Sequence, residues 1–322
     1  MNANSTLSWT SLSTYEHCGQ QFLWLFGWGM IDCGGGPGMP KPRPKKDSRH
    51  HAVMGMVVQA AVESLYNDEL WHDPSTLTER MLKVADREWF RQIKDKRNYI
   101  NYDKAGLTAA EMLEVCRNGV VGYVQTMKAH GLLSLSYARA EVPLVGWIDK
   151  WNPLGGRADM IIRREQTGIT ILDGKNSRRK EADADQLRWY ALLFRLSFRV
   201  MPDRLGFIWY RFPYGTPARD PDGNLLYEED GETPRIEPGV EWIPFTEDDL
   251  RELAQRALDA KKAMRKEIFE ANPVPNYCKM CAFEDVCSAR QAQRKKNSEV
   301  RNKNRHIDEI PDNEGGFSDF SL

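Results

Sequence analysis

The chain has 322 residues, of which 41% are hydrophobic and 28% are charged, and its mean hydropathy is −0.60. These values indicate a soluble globular protein of one large or two small domains, and the longest apolar run, residues 22–31, is too short to span a membrane. The net charge of −1, from 45 basic and 46 acidic residues, does not exclude a DNA-binding enzyme, because positive charge can be confined to a groove. The N-terminus lacks the basic and apolar regions of a secretion signal, so a cytoplasmic location in a bacterial or phage-infected cell is expected.

In chain order, the first predicted element is a helix over residues 8–26, with Cys18 in its middle. A loop rich in glycine and proline follows at 27–50. It carries five basic residues, Lys41, Arg43, Lys45, Lys46 and Arg49. That loop is either a solvated surface segment or a DNA contact. Apolar spacing predicts further helices at 52–70, 77–93, 108–130, 183–199 and 246–270, and strands at 137–147, 157–164, 168–173, 204–211 and 240–245.

These elements predict a single domain over residues 1–290, because Cys18 and the late cysteines are expected to belong to one site. Its parts are a helical N-terminal part at 1–135, a catalytic core at 136–212, an exposed insertion at 213–238, and a C-terminal helix with a cysteine cluster at 239–290. The tail, 291–322, is first basic and then acidic and is predicted to be disordered, although 290–305 also has the pattern of a helical extension.

Two short strands each carry an aspartate, Asp159 in ADMII and Asp173 at the end of GITILD. Lys175 follows at the spacing that returns a side chain to the same face of a strand. Asp159, Asp173 and the carbonyl of Gly174 would bind Mg²⁺ or Mn²⁺, which prefer oxygen ligands and activate a phosphodiester and water. Lys175 would orient that water or stabilise the transition state. The alternative is structural, because aspartates at strand ends are common in turns.

Four cysteines suggest a second site. Cys278, Cys281 and Cys287 are close in sequence, in a predicted loop between two helices, and Cys18 is distant. Four thiolates suit either an iron–sulfur cluster or zinc, and the spacing alone does not choose between them. The remaining two, Cys33 and Cys116, are most simply a loop thiol and a core residue.

The segment Glu141 to Phe194 resembles the RecB-like branch of the PD-(D/E)xK nuclease superfamily. The matching motifs are Gly156-Arg-Ala-Asp159, Asp173-Gly-Lys175 and Gln186-Leu-Arg-Trp-Tyr190, with Gly55-x₃-Gln59-x₃-Glu63 upstream. The resemblance implies an α/β fold with a restriction-endonuclease-like core, a central mixed β-sheet flanked by helices. It also implies catalytic roles for Asp159, Asp173, Lys175, Glu63, Gln186 and Tyr190. Similar nucleases have a metal-binding histidine where this chain has Gln59, whose amide oxygen is a neutral and weaker ligand.

The cysteines resemble those of the AddB nuclease domain and the CRISPR-associated RecB-like exonucleases, together with the preceding segment Ser11-Leu-Ser13-Thr-Tyr15-Glu-His-Cys18. That resemblance implies a 4Fe–4S cluster on Cys18, Cys278, Cys281 and Cys287, which would staple the C-terminal segment to the N-terminal helix. Zinc is the alternative. Many similar proteins have proline after the first cysteine, where this chain has Gly19.

The resemblance makes DNA, single-stranded or with free ends, the expected partner. A positive groove is predicted from Arg157, Arg178, Arg179, Lys180 and Arg188. Trp189, Trp209, Tyr210 and Phe212 would either stack on bases or lie in the core. No helicase-type phosphate loop is present, so a helicase or another recombination or replication protein is a further expected partner.

The expected function is therefore that of a metal-dependent exonuclease in DNA repair, recombination, or phage or CRISPR DNA processing. Two alternatives remain at this point. The first is a catalytically weak DNA-binding accessory protein on the same fold. The second is a zinc-stapled protein that acts on another phosphate substrate.

Overall fold

The computed structural model describes residues 6–27, 49–95, 98–165, 168–175, 183–209, 216–217, 224–227, 231–232, 236–237 and 239–308. The chain divides into two compact units, and each combines two stretches of sequence. Unit 1 comprises Met1–Leu12 and Lys46–Arg265, and unit 2 comprises Ser13–Lys45 and Lys266–Leu322. The organisation as one domain stays a prediction. Across the ranges described, we find no helix long and apolar enough to cross a membrane.

The helices are α1 (Trp9–His17), α2 (Gly19–Phe26), α3 (His50–Asn67), α4 (Leu77–Lys94), α5 (Tyr102–Ala105), α6 (Ala109–Ala129), α7 (Ala184–Phe198), α8 (Glu247–Arg265), α9 (Pro275–Met280) and α10 (Ser288–Asp308), with a short 3₁₀ helix at Leu70–His72. The strands are β1 (Tyr137–Trp147), β2 (Pro153–Arg164), β3 (Gly168–Lys175), β4 (Arg204–Trp209), β5 (Thr216–Pro217), β6 (Ile236–Glu237) and β7 (Val240–Ile243). Local sequence specifies some of these ends, such as the start of α6, where Thr108 and Glu111 form a reciprocal capping box.

Unit 1 is built around a five-stranded mixed sheet of order β1-β2-β3-β4-β7. The β3–β4 pair is parallel and the other three are antiparallel. A parallel pair needs a crossover connection, and α7 lies within it. The apolar faces of α3, α4 and α6 pack into one core with sheet residues such as Met160, Ile162 and Leu172. This mixed sheet flanked by helices confirms the predicted α/β class and is consistent with a restriction-endonuclease-like fold.

The predicted strands are all present, but β2 begins at Pro153 rather than at residue 157, and β3 continues to Lys175. In the predicted insertion, 213–238, strands β5 and β6 pair as an antiparallel two-stranded ladder. Helix α8 ends at Arg265, earlier than predicted, and Glu267 then adopts a left-handed φ of 58°, which does not continue a right-handed helix.

The single helix predicted over 8–26 is wrong. Cys18 is extended, with φ −163° and ψ 103°, and separates α1 from α2. A Cβ at Gly19 would lie 2.9 Å from both the Glu270 nitrogen and the Phe269 Cα. Glycine is therefore required where the α2 backbone meets the backbone of residues 269–270.

Two more corrections concern unit 2. Cys278 lies within α9, not in a loop as predicted. Residues 291–308 belong to α10, which corrects the predicted disorder of that part of the tail. The acidic end, 309–322, lies outside the described residues.

Candidate active site

The β2–β3 hairpin brings the two predicted metal-binding aspartates together. The ladder between these strands ends at the pair Met160↔Leu172, and Asp159 and Asp173 are the next residues on the two strands. Their carboxyl groups lie close enough for each to influence the pKa of the other. The hairpin register thus explains why residues fourteen positions apart share one site.

A chain of hydrogen bonds connects Asp173 to helix α7. Lys175 Nζ donates to Asp173 Oδ2 at 2.9 Å and to Gln186 Oε1 at 3.2 Å. Gln186 Nε2 in turn contacts the Tyr190 hydroxyl at 3.1 Å. Gln186 and Tyr190 are four residues apart on α7, so their side chains meet on one face of the helix. The structure therefore brings Asp159 together with the four hydrogen-bonded residues, Asp173, Lys175, Gln186 and Tyr190. All five were predicted from the sequence to be catalytic.

The electrostatic environment disfavours two charged carboxylates here. Asp173 is only 1% exposed. Burial raises the pKa of Asp173, and Lys175 opposes that rise. Burial and then the neighbouring Asp173 raise the pKa of Asp159. Burial also raises the pKa of Tyr190 to about 12, so its hydroxyl keeps its proton at neutral pH.

Helix α3 and strand β1 contribute a second network. Gln59 Nε2 donates to Glu141 Oε1 at 3.1 Å, and Arg157 Nη1 lies 3.2 Å from Glu141 Oε2. Glu63 lies one turn from Gln59 on α3, and burial and then the Glu141 charge raise the pKa of Glu63. The predicted residues Gln59, Glu63 and Arg157 are thus joined through Glu141, a residue to which the sequence analysis gave no role.

The aspartate pair fits a divalent cation. Asp173 Oδ1 is buried and has no hydrogen-bond partner, although Lys175 Nζ forms an ion pair with it at 2.8 Å. The two adjacent carboxylates, Asp173 buried and Asp159 partly buried, form a hard oxygen donor set. Within the described part of the chain, no three His, Cys, Asp or Glu side chains are grouped to hold a metal. Mg²⁺ usually binds one or two carboxylates and keeps several waters, so two aspartates suffice for it.

The two motif glycines differ in their surroundings. A Cβ at Gly156 would lie 2.9 Å from Leu193 Cδ1 and 3.4 Å from Tyr190 Cε1. Gly156 therefore lets α7 approach β2 closely, and this approach sets the position of Tyr190. A Cβ at Gly55 would meet no atom within 4 Å, so packing does not require glycine there.

Some predicted DNA contacts can be located. Arg157 is exposed and paired with Glu141, while Arg188 contacts Asp185 and the Pro244 carbonyl. Trp189 and Trp209 are fully buried, which confirms the core alternative for both. The other predicted positions, Lys41, Arg43, Lys45, Lys46, Arg178, Arg179, Lys180, Tyr210 and Phe212, lie outside the described residues.

The four predicted cluster-binding cysteines lie in unit 2. Cys18, Cys278, Cys281 and Cys287 line one pocket together with Gln20, Tyr277 and Arg290. All four are free thiols. The pKa of Cys278 is raised by burial and by the other three cysteines, and Arg290 opposes that rise. Of the other two cysteines, Cys116 is a buried core residue as predicted, and Cys33 lies outside the described residues.

Two residues near the site were missed in the sequence analysis. Glu141 belongs to the second network, and the Phe207 ring lies under Lys175 Nζ at 5.4 Å from its centroid. Glu141 could have been found by counting back from the β1–β2 turn, since residues 141 and 159 are equidistant from position 150. Phe207 gave no comparable local signal, because its pairing with Asp173 is parallel and depends on the crossover.

Comparison with known proteins supplies the family. No curated protein matches the sequence. The crystal structure of SSO0001 is 17% identical and covers 74% of this chain and 85% of that chain, with a TM-score of 0.29 that is too low to support an argument. The model of the PD-(D/E)XK nuclease superfamily matches residues 6–288, which include the aspartates, Lys175 and all four pocket cysteines. The chain therefore belongs to the PD-(D/E)XK nuclease superfamily, whose members are usually nucleases.

Proposed function

We propose that the protein is a metal-dependent deoxyribonuclease of the RecB-like type that degrades single-stranded or end-exposed DNA as an exonuclease. The observation that carries the proposal is the hairpin register that places Asp159 beside Asp173, with Lys175 Nζ hydrogen-bonded to Asp173. Two neighbouring carboxylates suit a divalent cation, and an ammonium group beside them suits the negative charge that develops in phosphodiester hydrolysis. DNA repair, recombination, and phage or CRISPR DNA processing are the settings in which such an activity is used.

Each side chain of the candidate active site would have a role that follows from its chemistry. Asp159, Asp173 and the Gly174 carbonyl would hold Mg²⁺ or Mn²⁺, which when bound supplies Lewis-acid polarisation of a phosphate oxygen and acidifies water. Lys175 Nζ, fixed by Asp173 and Gln186, would donate a hydrogen bond to the attacking water or to the charged phosphate. The Tyr190 hydroxyl contacts Gln186 and stays protonated, so it would maintain the orientation of Gln186 and hence of Lys175.

Unit 2 would hold a 4Fe–4S cluster on Cys18, Cys278, Cys281 and Cys287, with zinc as the alternative. Support comes from four reduced thiols on the wall of one pocket, drawn from two distant stretches of sequence. Four thiolates are the usual ligand set of both groups. The ratio of iron to zinc in protein purified without oxygen decides between them, and a broad absorption shoulder near roughly 400 nm accompanies iron–sulfur.

The nuclease proposal is tested with purified wild type, Asp173→Ala and Lys175→Met on end-labelled linear DNA, single- and double-stranded, with Mg²⁺ or Mn²⁺. Glu79→Gln is the matched control, because Glu79 is an exposed carboxylate on α4 that pairs with Lys83. We expect wild type and the control to degrade linear DNA and the other two variants to be inactive.

Closed circular single-stranded DNA separates the modes of attack. An exonuclease leaves the circle intact, whereas cleavage of the circle would replace the exonuclease assignment with an endonuclease. If wild type binds DNA but cleaves none of these substrates with either cation, the enzyme proposal is overturned in favour of a DNA-binding accessory protein.

A further inference from the structure

Gln59 uses its amide nitrogen, not its oxygen, in the contacts that the structure shows. Nε2 donates to Glu141 Oε1 at 3.1 Å. Gln59 and Glu63 lie four residues apart on α3, so Glu63 is the neighbouring carboxylate on the same helix face, while Glu141 comes from β1. The amide thus lies between a helix carboxylate and a strand carboxylate, and it donates to the strand carboxylate.

Strand register places Glu141 beside the aspartate pair. The pairs Ala140↔Met160 and Val142↔Ala158 bracket it, so Glu141 lies across from Asp159. The regular ladder skips the Glu141–Asp159 pair, because the Glu141 backbone leaves the extended conformation there.

The backbone at Glu141 is strained, which indicates that its position is imposed by the surroundings. Its φ is +53° within a strand, in the left-handed region that non-glycine residues seldom adopt and that costs about 1–3 kcal/mol. Gln59 and Arg157 hold its two carboxylate oxygens, one each. Both oxygens are therefore fixed by donors from different elements.

The local charges do not balance. Among the described residues, four carboxylates, Glu63, Glu141, Asp159 and Asp173, lie at or near the site, and Lys175 and Arg157 pair with two of them. Like charges directly opposite one another destabilise a sheet. A divalent cation at the aspartate pair would offset that repulsion, and the glutamates would raise the affinity for it.

We propose that Gln59 is a positioning residue that holds Glu141 as a third carboxylate of the cation site. The inference rests on the proposed function, because the cation is the one that Asp159 and Asp173 would bind. Glu141 is not grouped with the aspartates as a direct ligand. Glu141 would accept hydrogen bonds from water molecules that a bound Mg²⁺ or Mn²⁺ retains.

Binding of Mn²⁺ to the metal-free full-length protein, measured by titration calorimetry, tests the assignment without relying on activity. The variants are Glu141→Gln, Glu141→Asp, Gln59→Leu and Gln59→Glu, with Glu79→Gln as the control. Loss of a residue that orients metal ligands typically weakens binding about 10- to 100-fold. We expect that loss for Glu141→Gln and Gln59→Leu, a smaller loss for Glu141→Asp, and none for the control.

Gln59→Glu discriminates between the two uses of the amide. If Gln59 acted through its oxygen, a glutamate would bind Mn²⁺ at least as tightly as wild type. If its nitrogen positions Glu141, the substitution removes both donors, places a third carboxylate against Glu63 and Glu141, and weakens binding.

The outcomes are separable. This inference is overturned if Glu141→Gln binds Mn²⁺ as tightly as wild type, or if Gln59→Glu binds it as tightly or more tightly. Either result leaves the nuclease proposal unaffected. A wild type that binds no Mn²⁺ overturns both. Circular dichroism melting reports whether each variant folds. If Glu141→Gln does not fold, the ordering of Glu141→Asp and Gln59→Leu relative to wild type decides.

Discussion

Asp159, which is partly buried, lies beside the fully buried Asp173 in unit 1, and Lys175 forms its ion pair with Asp173. Asp173 contacts Lys175 through both oxygens, whereas the pKa of Asp159 is raised by burial and by Asp173 itself. A buried carboxylate with a like-charged neighbour costs folding free energy. Without a cation, the site therefore opposes stability at neutral pH.

Asp159→Asn should stabilise the metal-free protein and abolish cleavage. Asparagine removes the repulsion, keeps the shape, and can donate to Asp173, while the Asp173–Lys175 pair remains. We expect the free energy of unfolding to rise by about 1–3 kcal/mol at pH 7. The pKa of Asp159 is higher in the folded state, so its favourable contribution is present at low pH and is lost as pH rises; the advantage of the variant should grow with pH. Urea unfolding at pH 5 and pH 8, in the presence of a chelator, measures the free energy of unfolding of both proteins. Asp173→Asn should gain less stability than Asp159→Asn, because it breaks the ion pair with Lys175.

Lys261 is a second buried charge, remote from catalysis. It is 5% exposed, and Nζ donates to the Pro153 carbonyl at 2.9 Å. Burial first, and then Arg265, lowers its pKa from 10.5 to about 8. The unfolded chain therefore binds more protons between those two values, and stability should increase with pH across that range.

Lys261→Met removes this titration. We expect the wild-type free energy of unfolding to gain roughly 2–4 kcal/mol between pH 7.5 and pH 10 relative to the variant. Denaturant unfolding at the two pH values gives the difference. Lys262→Met, at the exposed neighbouring position on α8, is the control and should follow wild type. Parallel pH dependences for wild type and Lys261→Met would contradict the assignment.

At the scale of elements, the contact of α7 with β2 positions half of the candidate active site. Gly156 leaves room for Leu193 and Tyr190, and Trp189 Nε1 donates to the Gly155 carbonyl at 3.2 Å. The helix that presents Gln186 and Tyr190 is thus held against the strand that carries Asp159. Substitutions at the α7–β2 contact should therefore displace Gln186 and Tyr190 and lower the cleavage activity.

Gly156→Ala and Gly55→Ala, alanine substitutions at the two motif glycines, should have opposite effects. The added methyl group at 156 overpacks buried atoms, which typically costs about 1–3 kcal/mol, and it should lower cleavage by displacing Tyr190. The methyl group at 55 meets open space within α3, where alanine exceeds glycine in helix propensity by about 1 kcal/mol, so that variant should be more stable than wild type. Thermal unfolding and the DNA cleavage assay together measure both effects, and destabilisation by Gly55→Ala would point to a functional need for glycine there.

Regular elements were predictable where one local signal dominated. Alternating and helical apolar patterns placed β1, α4 and α7 within one or two residues. The break at Cys18 was not predictable, because no proline or turn sequence interrupts residues 9–26. It depends on the approach of residues 269–270 to Gly19, which is a contact between segments far apart in the chain.

For the molecule as a whole, the candidate site was predictable to the extent that it is local. Asp173 and Lys175 adjoin in sequence, and one hairpin adds Asp159. Glu141 was not predicted, because its role depends on the Gln59 amide of α3 and on the register of the β1–β2 hairpin. The sequence suggested one four-thiolate site, and the structure places all four cysteines around one pocket in unit 2. The choice of an iron–sulfur cluster over zinc depended on family resemblance.

Cysteine substitutions should affect the two units differently. Cys18→Ser and Cys281→Ser should each lower the bound iron or zinc and make unit 2 more sensitive to limited proteolysis. Cys116→Ala is the matched control, because Cys116 is a buried cysteine in the core of unit 1 and should leave metal content unchanged. Elemental analysis and protease digestion of the three variants provide the measurements. Full metal content in Cys18→Ser would remove that residue from the site.

Unit 2 draws on both ends of the sequence, and this has a consequence for biosynthesis. Cys278 follows Cys18 by 260 positions, so at a translation rate of about 5–20 residues per second the first thiol emerges roughly 13–50 s before its partners. Throughout that interval Cys18 is on a nascent chain that cannot yet complete its unit. Recombinant yield should therefore depend on a reducing environment during translation, and a C-terminally truncated chain would leave that thiol permanently without its partners.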